Sequence, residues 1–82
     1  RISNLVIQAN HLLQQRSEAS LKNAIEFSRQ AIQLQPGHAQ AFAVLADAYL
    51  GYADFRPPEE TAGLLELARQ SARKASELNP NL

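Results

Sequence analysis

The stretch AIEFSRQAIQLQP at residues 24–36 returns as ARQSARKASELNP at residues 68–80. With an offset of 44 positions, the two copies share two alanines seven residues apart, an arginine, a leucine and a proline. A second pair lies upstream of each copy, LVIQANHLL at 5–13 and FAVLADAYL at 42–50, with an offset of 37. Repetition of both pieces in the same order predicts two copies of one two-part unit.

The two offsets differ by seven residues, so the connection inside the second unit is expected to be longer. The extra residues must lie between Tyr49 and Ala68. Gly51, Pro57 and Pro58 fall in this interval and are typical of loops. We therefore predict a long loop at about residues 51–58.

Apolar residues recur at helical spacing in all four pieces, which predicts amphipathic helices near residues 2–16, 18–35, 38–53 and 59–78. Ser17 suits the start of the second helix, and Pro36-Gly37 its end. Pro57-Pro58 followed by Glu59-Glu60 suits the first turn of the fourth helix. The predicted fold class is all-α, with one antiparallel helical hairpin in residues 1–36 and a second in 37–80.

Small residues stand at matching places in both units, and we interpret them as helix-packing positions, where a small side chain lets two helix axes approach. Phe42 and Tyr49 would fill the space between the hairpins. Alanine is also simply common in helices, but its periodic recurrence in both halves favours the packing interpretation. The six alanines are Ala9, Ala24, Ala31, Ala46, Ala68 and Ala75.

The composition predicts a single small domain without catalytic or cofactor chemistry. The 82 residues contain eight basic and eight acidic side chains and no cysteine, so neither attraction to nucleic acid nor a thiolate metal site is expected. No segment has the roughly 20 apolar residues of a membrane span. The two histidines, His11 and His38, are too far apart to suggest a metal site, and the adjacent Glu59 and Glu60 diverge on a helix. We expect no enzyme activity, no cofactor and no metal.

The residues of the second unit resemble the tetratricopeptide repeat. The matching series of a large aromatic, a leucine, small residues, a tyrosine and a proline is Phe42, Leu45, Ala46, Tyr49, Ala68, Ala75 and Pro80. The first unit supplies Ala24, Ala31 and Pro36, but its first helix is degenerate. The resemblance implies a right-handed α-solenoid fragment that binds proteins.

A narrower likeness covers residues 12–80. Arg16-Ser17, the paired Ala-Ile of the second helix and LADAY at 45–49 are similar to the repeat region of bacterial winged-helix transcription activators of the CadC and HilA kind. The chain begins at Arg1 and not at methionine, so we interpret it as part of a longer protein. The resemblance implies an interaction or oligomerisation module of a bacterial regulatory protein; the alternative is a sensing domain that binds a small molecule or peptide in its groove.

The family layout implies that the first helix of each unit lines a concave binding face. The chaperone-tail clamp of some relatives is not expected, because only Asn10 matches its set of basic and amide side chains. The partner would be a protein: another domain of the parent chain, a second copy or a separate protein. Aromatic and arginine side chains of the predicted loop are further candidates. The implied inner positions and loop candidates are Val6, Asn10, Leu13, Gln40, Ala43, Val44, Asp47, Leu50, Tyr52, Phe55 and Arg56.

Overall fold

The chain folds into four α-helices in the computed structural model, which describes residues 2–81 and the side chains of residues 4–81. Each predicted helix is confirmed, and each boundary lies within one residue of the prediction. No strand occurs among the described residues. The helices are α1 (Ile2–Gln15), α2 (Glu18–Leu34), α3 (Ala39–Ala53) and α4 (Pro58–Leu78).

Side chains cap two of the helices and satisfy amide groups that have no partner within the helix. The Ser17 hydroxyl accepts a hydrogen bond from the Ser20 amide at 3.0 Å, and the Ser20 hydroxyl accepts one from the Ser17 amide at 2.9 Å. This reciprocal pair is a capping box at the start of α2. His38 is the N-cap residue before α3, and its Nδ1 accepts a hydrogen bond from the Ala41 amide at 3.2 Å. The start of α4 has Pro58 in the first turn, as predicted.

The connection between α3 and α4 is shorter than the loop predicted at 51–58. Helix α3 continues to Ala53 and α4 begins at Pro58, so only residues 54–57 lie between them. Compared with the first unit, α3 is one residue longer than α1 and α4 is four residues longer than α2. Most of the extra residues in the second unit therefore form an additional helical turn at the start of α4, where the two prolines begin the helix without interrupting it.

Gly51 is part of α3 and does not form a loop. A Cβ atom built on Gly51 would lie 3.1 and 3.2 Å from Cδ1 and Cδ2 of Leu21 on α2. Its position is explained by close packing of two helices, because a larger side chain would press on Leu21. Glycine here lets the two helices approach, as alanine does elsewhere in the core.

Helix α3 is central: it contacts the other three helices, whereas α4 contacts α3 alone among the described helices. All six alanines assigned to helix packing are buried. Tyr49 is buried in the core cluster, and Phe42 is half-buried. Since α2 and α3 are joined by a short connection and Gly51 near the end of α3 meets Leu21 near the start of α2, these two helices run antiparallel.

Candidate docking groove

The two hairpins carry corresponding apolar positions, but only those of the first hairpin are covered. Leu13 on α1 is 5% exposed, and its counterpart Leu50 on α3 is 49% exposed. Leu21 on α2 is 1% exposed, and its counterpart Leu65 on α4 is 44% exposed. Helix α3 packs on α1 and α2 and touches Leu21, whereas no described helix packs on this side of α3 and α4.

We call the uncovered surface the α3/α4 groove. The residues of each wall recur at helical spacing, so one wall is a face of α3 and the other is a face of α4. Part of it forms an open depression of about 210 Å³ between the helices. The groove consists of Ala43, Ala46, Asp47 and Leu50 on α3 and Leu65, Ala72, Ala75 and Ser76 on α4, of which all but the two leucines line the depression.

The floor of the depression is made of small side chains, which is why a depression exists there. Ala43 and Ala72 stand where the first hairpin has Val6 and Ser28, both buried. In the first hairpin that space is occupied by the packing of α3. In the second it is open, with methyl groups on most of its wall and two polar side chains, Asp47 and Ser76, at its edge.

Charged residues stand beside the groove on α4. Arg69 donates hydrogen bonds to the carboxylate of Glu66, and Gln70 donates a further one at 3.1 Å. These bonds, above all those from Arg69, lower the pKa of Glu66, and the Glu66 carboxylate raises the pKa of Arg69. Arg69 corresponds by offset to Ile25, which is buried in the first hairpin. The groove therefore has a polar boundary where the first hairpin is apolar.

Arg56, predicted as a partner contact, binds within the molecule. Its guanidinium donates to Glu18 on α2 at 2.9 Å and to Glu60 on α4 at 2.9 and 3.0 Å. It also lies 5.7 Å from the centre of the Tyr52 ring, within cation–π range. Hydrogen bonding to Arg56 lowers the pKa of Glu60. Arg56 thus connects the α3–α4 loop to the first hairpin.

Three of the implied inner positions are not exposed, which corrects the expectation from the family layout. Val6, Leu13 and Val44 are buried in the core, because α3 packs against the first hairpin at these places. Asn10, Gln40, Asp47 and Leu50 are exposed, Ala43 and Tyr52 are half-buried, and Phe55 is exposed.

Sequence reasoning missed the α4 wall of the groove. Leu65, Ala72 and Ser76 were not among the candidates, because the family layout places the binding face on the first helix of each unit. The signal was present in the offset of 44, which pairs them with Leu21, Ser28 and Ile32. Only the burial of those counterparts shows that the positions form a contact face.

The described residues contain neither a metal-binding cluster nor a membrane-spanning helix. No group of three or more His, Cys, Asp or Glu side chains converges within residues 2–81. None of the four helices is both long and apolar enough to cross a membrane. His11 is exposed on α1, and His38 caps α3.

Comparison of this chain with protein-family models, curated proteins and solved structures found no match. The internal repeat allows one half of the chain to be compared with the other. The first hairpin shows how a helix can occupy the surface that is open in the second.

Proposed function

We propose that this chain is a protein-interaction module and that the α3/α4 groove is its docking surface for a helix of a protein partner. The observation that carries the proposal is the paired exposure of Leu13 with Leu50 and of Leu21 with Leu65. These two positions, which are buried in the first hairpin, remain apolar and uncovered in the second. Two exposed leucines on either side of an open depression form a surface that a partner can bury.

Burial of the two exposed leucines favours association. Complete burial of a leucine side chain is worth about 1.5–3 kcal/mol, and Leu50 and Leu65 each retain nearly half of their exposure. A helix laid along the groove would bury both, together with the alanine methyl groups between them. This corresponds to the mode in which an amphipathic helix lies in an apolar groove.

The size of the depression disfavours a second function, that of a sensing domain for a small molecule. Ligand pockets usually enclose roughly 300–1,000 Å³ with several convergent polar groups. The depression here is open, measures about 210 Å³ and presents Asp47 and Ser76 as its polar side chains. The groove is better suited to an elongated apolar partner.

The place of this module in a bacterial regulatory protein, with a transcriptional role, is part of the proposal. Its support is the resemblance of residues 12–80 described above. The sequence of the gene that encodes the chain is the direct test. A winged-helix domain encoded in the same reading frame is the expected result, and an unrelated enzyme domain there would contradict the regulatory assignment.

The docking surface can be tested with a displayed library of amphipathic helical peptides selected on the immobilised chain. Selected peptides are then titrated against the wild type and Leu65→Glu by fluorescence anisotropy. We expect Leu65→Glu to weaken binding by at least tenfold, because it places a charge in the groove. Circular dichroism checks that the variant folds, which the exposure of Leu65 favours.

The matched control is Ile7→Glu, which introduces the same charge at a residue that is 65% exposed on α1. Helix α1 does not contact α4, so this variant should bind selected peptides as the wild type does. Failure to enrich any peptide, or equal loss of binding in both variants, would contradict the docking proposal.

A further inference from the structure

The contact between α3 and the first hairpin shows how a helix is seated on such a groove. At Gly51 the backbone of α3 comes so close to Leu21 that a Cβ atom would lie 3.1 Å from the leucine methyl group. Leu21 is 1% exposed, so its side chain is enclosed by neighbours and has little room to move. The close approach therefore depends on the absence of a side chain at residue 51.

The face of α3 that contains Gly51 has a definite pattern. Residues three, seven and ten positions before Gly51 share its face at helical spacing, and all of them are buried. Three of the four positions are alanine or glycine, and the fourth is a branched aliphatic residue. The face reads small, aliphatic, small, glycine, and its members are Ala41, Val44, Ala48 and Gly51.

Antiparallel packing fixes which residues of the two helices meet. Gly51 lies against Leu21, so Val44, seven residues earlier on α3, lies at the level of Ser28, seven residues later on α2. The counterparts on α4 are Leu65 for Leu21 and Ala72 for Ser28. The depression beside Ala72 is thus equivalent to the space that is filled at the level of Val44.

The two hairpins also end alike. Gln35 after α2 has φ −144° and ψ 89°, and Asn79 after α4 has φ −145° and ψ 94°. In both, the amide of the capping residue donates to a carbonyl four residues earlier, Ala31 or Ala75, at 2.9 Å. This agreement extends the correspondence between α2 and α4 to the backbone and supports the transfer of the packing geometry to the second groove.

We propose that the α3/α4 groove selects a helix with the pattern small–x–x–aliphatic–x–x–x–small–x–x–glycine or alanine. Leu65 is the specificity-determining residue, because its counterpart Leu21 meets the backbone of α3 at Gly51, where a Cβ atom would lie 3.1 Å from the leucine. A larger partner side chain at the equivalent point would have to displace Leu65. The aliphatic residue enters the depression beside Ala72. This inference rests on the proposed docking function and adds the sequence chemistry of the partner.

A second copy of the chain does not match this pattern. The positions of α1 that correspond to the contact face of α3 are exposed, but they bear larger or polar side chains where small ones are required. Gln14 would stand against Leu65 in place of glycine, and His11 in place of the second small residue. The four counterparts on α1 are Asn4, Ile7, His11 and Gln14. We therefore assign the groove to a different helix.

The probe for the experiment is a labelled peptide that spans residues 39–55, with Phe42→Gln, Leu45→Glu and Tyr49→Lys. These changes replace apolar residues of α3 that lie outside its contact face, and a lactam between the introduced carboxyl and amino groups holds the helix. Fluorescence anisotropy with the full chain is expected to show binding that Leu65→Glu abolishes.

The decisive experiment changes both residues at the proposed contact point, residue 51 of the peptide and Leu65 of the chain. Gly51→Leu in the peptide should weaken binding to the wild-type chain by at least tenfold, and Leu65→Ala in the chain should restore much of that loss. The control peptide carries Leu50→Gln at the adjacent position, which lies outside the contact face of Ala41, Val44, Ala48 and Gly51, and should bind as the parent peptide does.

The outcomes separate this inference from the docking proposal. Equal binding of the Gly51→Leu peptide, no binding of the parent peptide at millimolar concentration, or selected helices with large residues at the crossing point would each overturn the pattern. If the selected helices lack the pattern but their binding is still weakened by Leu65→Glu, the docking proposal stands and only the pattern is overturned. Self-association through the groove in sedimentation velocity, abolished by Leu65→Glu, would overturn the assignment to a different helix.

Discussion

The first and the second hairpin carry related apolar patterns on equivalent faces, but their surroundings differ. On the first hairpin, Leu13 and Leu21 lie beneath α3 and belong to the core. On the second, Leu50 and Leu65 face outward. The same type of residue thus stabilises the fold in one unit and remains available for contact in the other, and the difference is whether a helix packs over it.

The largest expected effect on this difference between the hairpins comes from truncation of one leucine in each of them. Leu21→Ala should lower the free energy of unfolding by about 2–5 kcal/mol, because it removes buried contacts and leaves a cavity. Leu65→Ala should change it by no more than about 0.5 kcal/mol, as is usual for exposed positions. Urea denaturation measures both, and similar values for the two variants would show that the hairpins are not differently covered.

A second test concerns the glycines of α3 and α4. Gly63→Ala should stabilise the chain by about 1 kcal/mol, since alanine favours a helix over glycine and nothing lies within 4 Å of the added Cβ. Gly51→Ala should be less stable than Gly63→Ala by about 1–3 kcal/mol, which is the usual cost of overpacking. Thermal and urea denaturation of the two variants measure the difference, and equal gains would mean that α3 does not approach Leu21 closely.

A third test uses the polar residue beneath α3. Ser28 is fully buried, and its hydroxyl has no hydrogen-bond partner in the structure. Ser28→Ala should therefore raise the free energy of unfolding by about 1 kcal/mol, because an unsatisfied buried hydroxyl is removed. The reverse change at the exposed counterpart, Ala72→Ser, should have little effect. A destabilised Ser28→Ala chain would indicate that the hydroxyl is bonded.

The smallest expected effect involves the ion pairs of Arg56, which join the two hairpins at the surface. The pKa of Glu60 is lowered in the folded chain, so its pairing stabilises the fold above the unfolded-state pKa, near 4.5. That contribution is lost as the pH falls through the lower folded-state pKa. Arg56→Ala should slightly lower stability at pH 7 and reduce its decline toward pH 3. Lys22→Ala, which changes an exposed lysine, is the charge-matched control in both pH series of melting curves.

Much of the fold could be predicted from local signals. The helices are set by apolar spacing and by caps such as Ser17, which act over one or two turns of the chain. The loop prediction was wrong at Gly51, because glycine is ambiguous in a sequence. It can mark a turn or a place where two helices touch, and only the position of Leu21 distinguishes them.

The groove was less predictable than the helices. Asp47, Ala43 and Leu50 were identified on α3, but Leu65, Ala72 and Ser76 on α4 were not. Val6, Leu13 and Val44 were expected at an open surface and are buried. Exposure depends on which helix covers which face, and residues far apart in the sequence determine this.

Local sequence patterns were sufficient to specify four helices, the cap at Ser17 and related apolar patterns in the two units. These properties follow from interactions between residues a few positions apart, which a linear pattern records. Packing between distant parts of the chain places α3 over the first hairpin, brings Gly51 against Leu21, and leaves Leu50 and Leu65 exposed. Burial is a property of the assembled helices, so related patterns acquired different roles when α3 packed against one hairpin and nothing among the described residues packed against the other.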